Sequence, residues 1–137
     1  MLQNEESSIL VIGAHPDDEC LGAGGTIRQH VNLDIPVDVL SLTSSARRSV
    51  ELEKACHVLG VRNVYWFERG DFEVDESLIK DITEVILKAR PRIVITHSPI
   101  DYNRNHVICS RLVDEAVEWA SHITIYDNAH RVDRIYH

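Results

Sequence analysis

Short apolar runs rich in β-branched residues alternate with helix-spaced patterns along the whole chain, and no other feature restricts the fold as much. Ser8–Gly13 (SILVIG), Val37–Leu42 (VDVLSL), Val64–Phe67, Ile93–Thr96 and Ile123–Tyr126 (ITIY) read as five strands. Between them, Cys20–Val31, Val50–Leu59, Leu78–Ala89 and His106–Ala120 read as helices. The second stops at Gly60, a C-cap signal, and the third ends before Pro91. Gly22, Gly24 and Gly25 fall inside the first helix and predict close backbone packing there. Strands joined through helices form right-handed crossovers, so the prediction is an α/β domain with a mostly parallel sheet covered on both faces. With strand order 3-2-1-4-5, strands 1 and 4 are neighbours where the order reverses. Ligands bind outside the carboxyl ends of the strands at that point.

The 137 residues amount to one domain, residues 1–137, and 44% hydrophobic content supplies a core for it. Cys20, Cys56 and Cys109 are odd in number and form no CxxC pair, which reads as reduced thiols in a cytoplasmic protein. Met1–Ser7 lacks the basic and apolar regions of a signal peptide, and no run reaches the roughly 18 apolar residues of a membrane span. A net charge of −8 argues against nucleic acid as a partner and leaves a neutral small molecule. Self-association into a homo-oligomer is compatible with this composition.

Directly after strand 1 comes Ala14-His15-Pro16-Asp17-Asp18-Glu19. Three consecutive carboxylates repel one another unless a cation or hydrogen bonds compensate. Where the chain enters a helix, His15 and Asp18, three residues apart, face one point while Asp17 projects elsewhere. A nitrogen and oxygen pair of this kind suits zinc. Asp17 is then a carboxylate beside the metal, suited to deprotonate water. The bland alternative places Asp17, Asp18 and Glu19 in a helix's first turn, where negative charge is favoured, or makes Asp17 or Asp18 an N-cap.

After strand 4 come Thr96-His97-Ser98-Pro99-Ile100-Asp101-Tyr102-Asn103-Arg104-Asn105-His106. His106 precedes the apolar stripe of the last helix and is placed to complete a three-ligand set that leaves one position open, as catalytic zinc requires. His97 ends the strand, either capping it or orienting Asp17 or a ligand. Asp101 and Asn103 hold the loop or touch substrate, with Asp101 also a turn-former and Asn105 a helix N-cap. Arg47 or Arg48, at the carboxyl end of strand 2, reaches substrate or is simply solvated. His30, His57, His122, His130 and His137 lack such company and read as surface or packing residues.

AHPDDE followed by LGAGGTI, then RPRIVITHSPIDYNRNH, resembles the PIG-L/LmbE-like zinc N-deacetylases from Ile9 to about Ala120. The resemblance implies a Rossmann-like three-layer α/β/α fold and one zinc per chain held by His15, Asp18 and His106, with Asp17 as general base. It also implies a small N-acetylated substrate carrying an N-acetylglucosamine-type group. Two departures stand out. Several hydrolytic members carry HPDH where this chain has Asn103-Arg104-Asn105-His106, the first His stabilising the oxyanion; Asn103 or a backbone amide is the replacement donor here. Family domains also continue past the fifth strand, so this chain is short at its C-terminus, ending in the polar NAHRVDRIYH.

Two other classes compete. A nucleotide-binding module would need its glycines in the turn before the helix, and here carboxylates occupy that turn. A catalytically silent metal-binding or interaction domain fits the asparagine departures.

Overall fold

β1 (Ile9–Gly13) is buried over all five residues and pairs in parallel with β2 (Val37–Ser44) on one side and β4 (Ile93–Ile95) on the other. β3 (Asn63–Glu68) lies outside β2 and β5 (Arg134–Tyr136) outside β4, giving the order β3-β2-β1-β4-β5 in the computed structural model, which describes residues 8–137. The expectation of no signal peptide at Met1–Ser7 lies outside the described residues. Four helices connect the strands: α1 (Asp18–Asn32), α2 (Ala46–Leu59), α3 (Glu76–Ala89) and α4 (Arg104–Ala120).

Successive side chains of a strand point to opposite faces, and β1 shows it directly. Leu10 and Ile12 join Leu78, Ile82, Ile86 and Leu112 of α3 and α4 in one core. Ile9 and Val11 join Ala23, Ile27, Leu52 and Cys56 of α1 and α2 in the other. Two helices on each face make the three-layer α/β/α arrangement the alternation predicts. β2, central in the sheet, buries even Asp38, which accepts from Arg62 Nε at 3.0 Å and Nη2 at 2.7 Å.

Three expectations are corrected. The fifth strand is not Ile123–Tyr126: those residues form turns, with Ile123 82% and Ile125 62% exposed. The strand is drawn from the tail read as polar, because an edge strand of three residues half-buries a single apolar side chain, Ile135, and leaves almost no periodic signal. α2 starts at Ala46, not Val50, because the Ser45 side chain accepts from Arg48 N and caps the helix four residues earlier. Finally, a Cβ on Gly22, Gly24 or Gly25 would meet nothing within 4 Å, so these glycines serve no close packing.

Gly60 is different. It ends α2 at φ 85, and a Cβ there would stand 2.7 Å from Val31 Cγ1 on α1. Gly60→Ala is therefore expected to destabilise the fold by about 1–3 kcal/mol in urea unfolding, with the native spectrum unchanged. A variant as stable as the parent would show that this junction tolerates a side chain.

Candidate metal centre

Because β1 and β4 are adjacent and parallel, the loops leaving their carboxyl ends meet above the sheet. The β1–α1 loop folds back on itself: Asp18 N donates to His15 O at 3.2 Å, and His15 N donates to Asp18 Oδ2 at 2.8 Å. Gly13 makes this possible, since a Cβ there would lie 2.9 Å from Asp18 Cβ. Asp17 adopts a left-handed backbone, φ 90 and ψ −22, unusual for a residue with a side chain and costing about 1 kcal/mol or more. It occupies the N-cap position of α1, yet its side chain makes no cap bond and is 62% exposed. The strain thus turns Asp17 outward, away from Asp18.

Asp18 Oδ2 stands among three imidazoles: His97 Nε2 at 3.1 Å, His15 Nδ1 at 3.4 Å and His106 Nε2 at 3.5 Å. Two sets of side chains lie close enough to hold a metal, His15–Asp18–His106 and His97–Asp101–His106. Ring geometry separates them. The His97 and His106 rings are stacked, 3.8 Å apart and 10° from parallel, so their lone pairs lie in separate planes and do not converge. The His15 and His106 rings are tilted by 48° with centroids 5.6 Å apart, which lets them address one point.

Protonation points the same way. His106 Nδ1 lies 3.0 Å from Asp101 Oδ2, and a carboxylate only accepts, so Nδ1 carries the hydrogen. The Nε2 lone pair then faces the Asp18 carboxylate, an opposition that a cation relieves. His15 Nε2 and His97 Nε2 both accept from N–H donors, the Asn105 amide at 3.1 Å and Ala14 N at 3.0 Å, so their lone pairs do not separate the two sets. By its ring geometry the first set fits a metal ion, with a nitrogen and oxygen donor chemistry suited to zinc.

Burial pushes the Asp18 carboxyl up, but the His97 ring, the His15 N–H and the imidazoles outweigh it and hold it below the ordinary value. The Asn103 N–H and the His106 ring hold Asp101 down. Neither set includes a cysteine; burial pushes the Cys20 thiol up to about 11 and those of Cys56 and Cys109 to about 12.

The other expected residues are distributed around this cluster. Asn103 caps α4, its Oδ1 accepting from Asn105 N at 2.9 Å and His106 N at 3.4 Å. The N-cap is thus Asn103, not Asn105. Arg47 is exposed on the first turn of α2, and the helical rotation of one residue brings Arg48 to the loop instead. Arg48 Nη2 donates to Pro16 O at 3.3 Å and lies 3.8 Å from Asp17 Oδ2. Asp71 has no place in the expectations from sequence and Asn105 only that of a cap, yet Asn105 Nδ2 lies 3.1 Å from His15 Nε2 and 3.1 Å from Asp71 Oδ1. Asp71 closely follows β3 at the same carboxyl-terminal edge, so the rule that singled out the other loops also points to it. A larger cavity of about 680 Å³ opens at the opposite end of the sheet, where Arg62 and Arg92 are paired with Asp38 and Asp133. It holds no comparable cluster.

The family model for GlcNAc-PI de-N-acetylases (PIG-L) matches residues 10–117. The chain belongs to this family. It is 32% identical over 113 residues to a diacetylchitobiose deacetylase of Thermococcus kodakarensis, covering 70% of this chain and 42% of that protein. It is 26% identical over 138 residues to a 4-oxalmesaconate hydratase of Pseudomonas putida, covering 84% of this chain and 53% of that one. The solved structure of a conserved protein from Thermus thermophilus superposes with a TM-score of 0.83 at 27% identity, over 93% of this chain and 63% of that chain. The chain spans about half the length of the curated relatives it matches.

Beneath the cluster, Glu19 is 2% exposed, and burial holds its carboxyl above the ordinary value of about 4.3. The folded chain then binds this proton more tightly than the unfolded one, and stability falls as pH rises above the unfolded value. In chelator-treated protein, Glu19→Gln is expected to be more stable than the parent at pH 7 and to lose that advantage as pH falls below about 4. Urea titrations at both pH values measure it; equal stability at pH 7 would show that Glu19 carries no buried-charge penalty.

Proposed function

We propose that this domain is a zinc-dependent deacetylase that hydrolyses the N-acetyl amide of an N-acetylglucosamine-type sugar or conjugate. One observation carries the reading: His15, Asp18 and His106 bring ligand atoms within 4.8 Å of one another, and on the loop of the first two the neighbouring Asp17 carboxylate is exposed and faces Arg48. Family membership and the likeness to a diacetylchitobiose deacetylase support the choice of bond.

In this reading His15, Asp18 and His106 hold one zinc ion. Bound there, zinc supplies a Lewis acid that brings the pKa of water down to about 7 and polarises a carbonyl. Asp17 accepts the proton of the attacking water and, once protonated, returns it to the leaving amine. Arg48, beside Asp17, keeps that carboxylate in place and offers a donor to substrate. Asp101 fixes the His106 ring through Nδ1, and His97 holds the Ala14 N–H of the loop that carries Asp18. The Asn103 oxygen is committed to α4, so only its Nδ2–H or a backbone amide remains to meet the oxyanion.

No helix among the described residues is long and apolar enough to cross a membrane, and the three thiols are unpaired. We accordingly place this enzyme in the cytoplasm, acting on a small soluble substrate. Association of identical chains is compatible with this placement.

A Lewis acid paired with a carboxylate base also serves water addition to a carbon–carbon double bond, the reaction class named by the Pseudomonas putida relative. Acetate release separates the two. Zinc-loaded protein screened across N-acetyl sugars and their conjugates is expected to release acetate from at least one. Absence of release across the series, with zinc bound, would count against the reading.

Asp17→Asn keeps size and hydrogen bonding but removes the basic oxygen. It is expected to retain zinc and lose on the order of 10²–10⁴ in turnover, whereas Asp18→Asn loses metal and activity together. Near-normal turnover in Asp17→Asn would assign the base elsewhere.

A further inference from the structure

The last residue of the chain, His137, follows β5 and lies against the site. Its Nδ1 lies 2.8 Å from the carbonyl oxygen of His97 and 3.2 Å from Ser110 Oγ, and its Nε2 lies 3.3 Å from Asp114 Oδ1. The order Ser110–His137–Asp114 resembles a nucleophilic triad, but Ser110 is 1% exposed and out of reach of any substrate. The His97 carbonyl moreover only accepts, so Nδ1 must donate to it and is not a base for the hydroxyl. The ring acts instead as a clamp between α4 and the end of β4.

What it clamps matters. His97 Nε2 accepts the Ala14 N–H at 3.0 Å and stands 3.1 Å from Asp18 Oδ2, so the position of residue 97 sets that of the loop that carries the carboxylate. A cavity of about 180 Å³ bounded by Gly13, Asp18, Gly22, Thr96, His97 and His137 lies alongside. Close packing therefore does not confine His97 on that side, and hydrogen bonds to its main chain must do so. Neighbouring Thr96 N already donates to Tyr136 O at 2.9 Å, which leaves the His97 carbonyl to His137.

We propose that His137 is a positioning residue: through the His97 carbonyl it fixes the imidazole that holds the Ala14 N–H, and with it the loop carrying His15 and Asp18, and so tunes metal affinity. This rests on the metal centre proposed above.

The test uses cobalt(II), whose visible spectrum reports ligand geometry without turnover, in the full chain and three variants. An Asn amide nitrogen reproduces the place of Nδ1, and a Gln amide that of Nε2. His137→Ala is expected to weaken cobalt binding about tenfold and alter its spectrum. His137→Asn should restore both by remaking the bond to His97, and His137→Gln should not. If the Ala variant fails to fold, the Asn and Gln pair carries the comparison. Parent-like affinity and spectrum in His137→Ala, or an Asn variant no better than Gln, would overturn the proposal while the metal centre stands. A parent protein that takes up no metal would remove both.

Discussion

Parallel pairing of β1 with β4, in register from Ile9 opposite Ile93 to Val11 opposite Ile95, is the constraint on which the site depends. It places the carboxyl ends of two strands from distant parts of the sequence side by side. The loop from one brings His15 and Asp18, and the loop from the other brings His97, Asp101 and His106. The loop after β4 alone offers the set His97–Asp101–His106, but the set whose rings address one point draws on both loops. The fully buried β1 cannot shift by a residue without exchanging Leu10 and Ile12 for Ile9 and Val11 between two cores, so the register, and with it the site, is set by burial.

Within the site, the Asp18 carboxylate organises its neighbours. It accepts the His15 N–H, touches His97 and faces His106, while Asp101 holds the far nitrogen of His106. The His106 lone pair directed at a carboxylate oxygen is unfavourable without positive charge between them, and the partly buried position of the cluster strengthens that penalty. The left-handed backbone of Asp17 keeps it out of this network, exposed and facing Arg48. The chain is similar to both a hydratase and a deacetylase, so the fold by itself does not select the reaction.

Much of this was legible in the amino-acid sequence because burial writes a strong pattern. β1, β2 and the helix ending before Pro91 show continuous or periodic apolar residues, and their order yields the sheet. The meeting of His15, Asp18 and His106 follows from the reversal of strand order. What escaped was governed by contacts the pattern does not encode. β5 half-buries one isoleucine and is invisible to periodicity. Arg48 rather than Arg47 faces the loop because the Ser45 cap starts α2 early. Asp71, Asn105 and His137 act through hydrogen bonds between segments far apart in sequence, and lone polar residues give no sign of such partners.

Anomalous diffraction at the zinc edge, from crystals of the zinc-loaded protein, tests the central claim most directly. The account predicts one strong peak per chain within bonding distance of His15, Asp18 and His106, with Asp17 and His97 outside the coordination sphere. A peak among His97, Asp101 and His106, or no peak at the junction of the β1 and β4 loops, would contradict it.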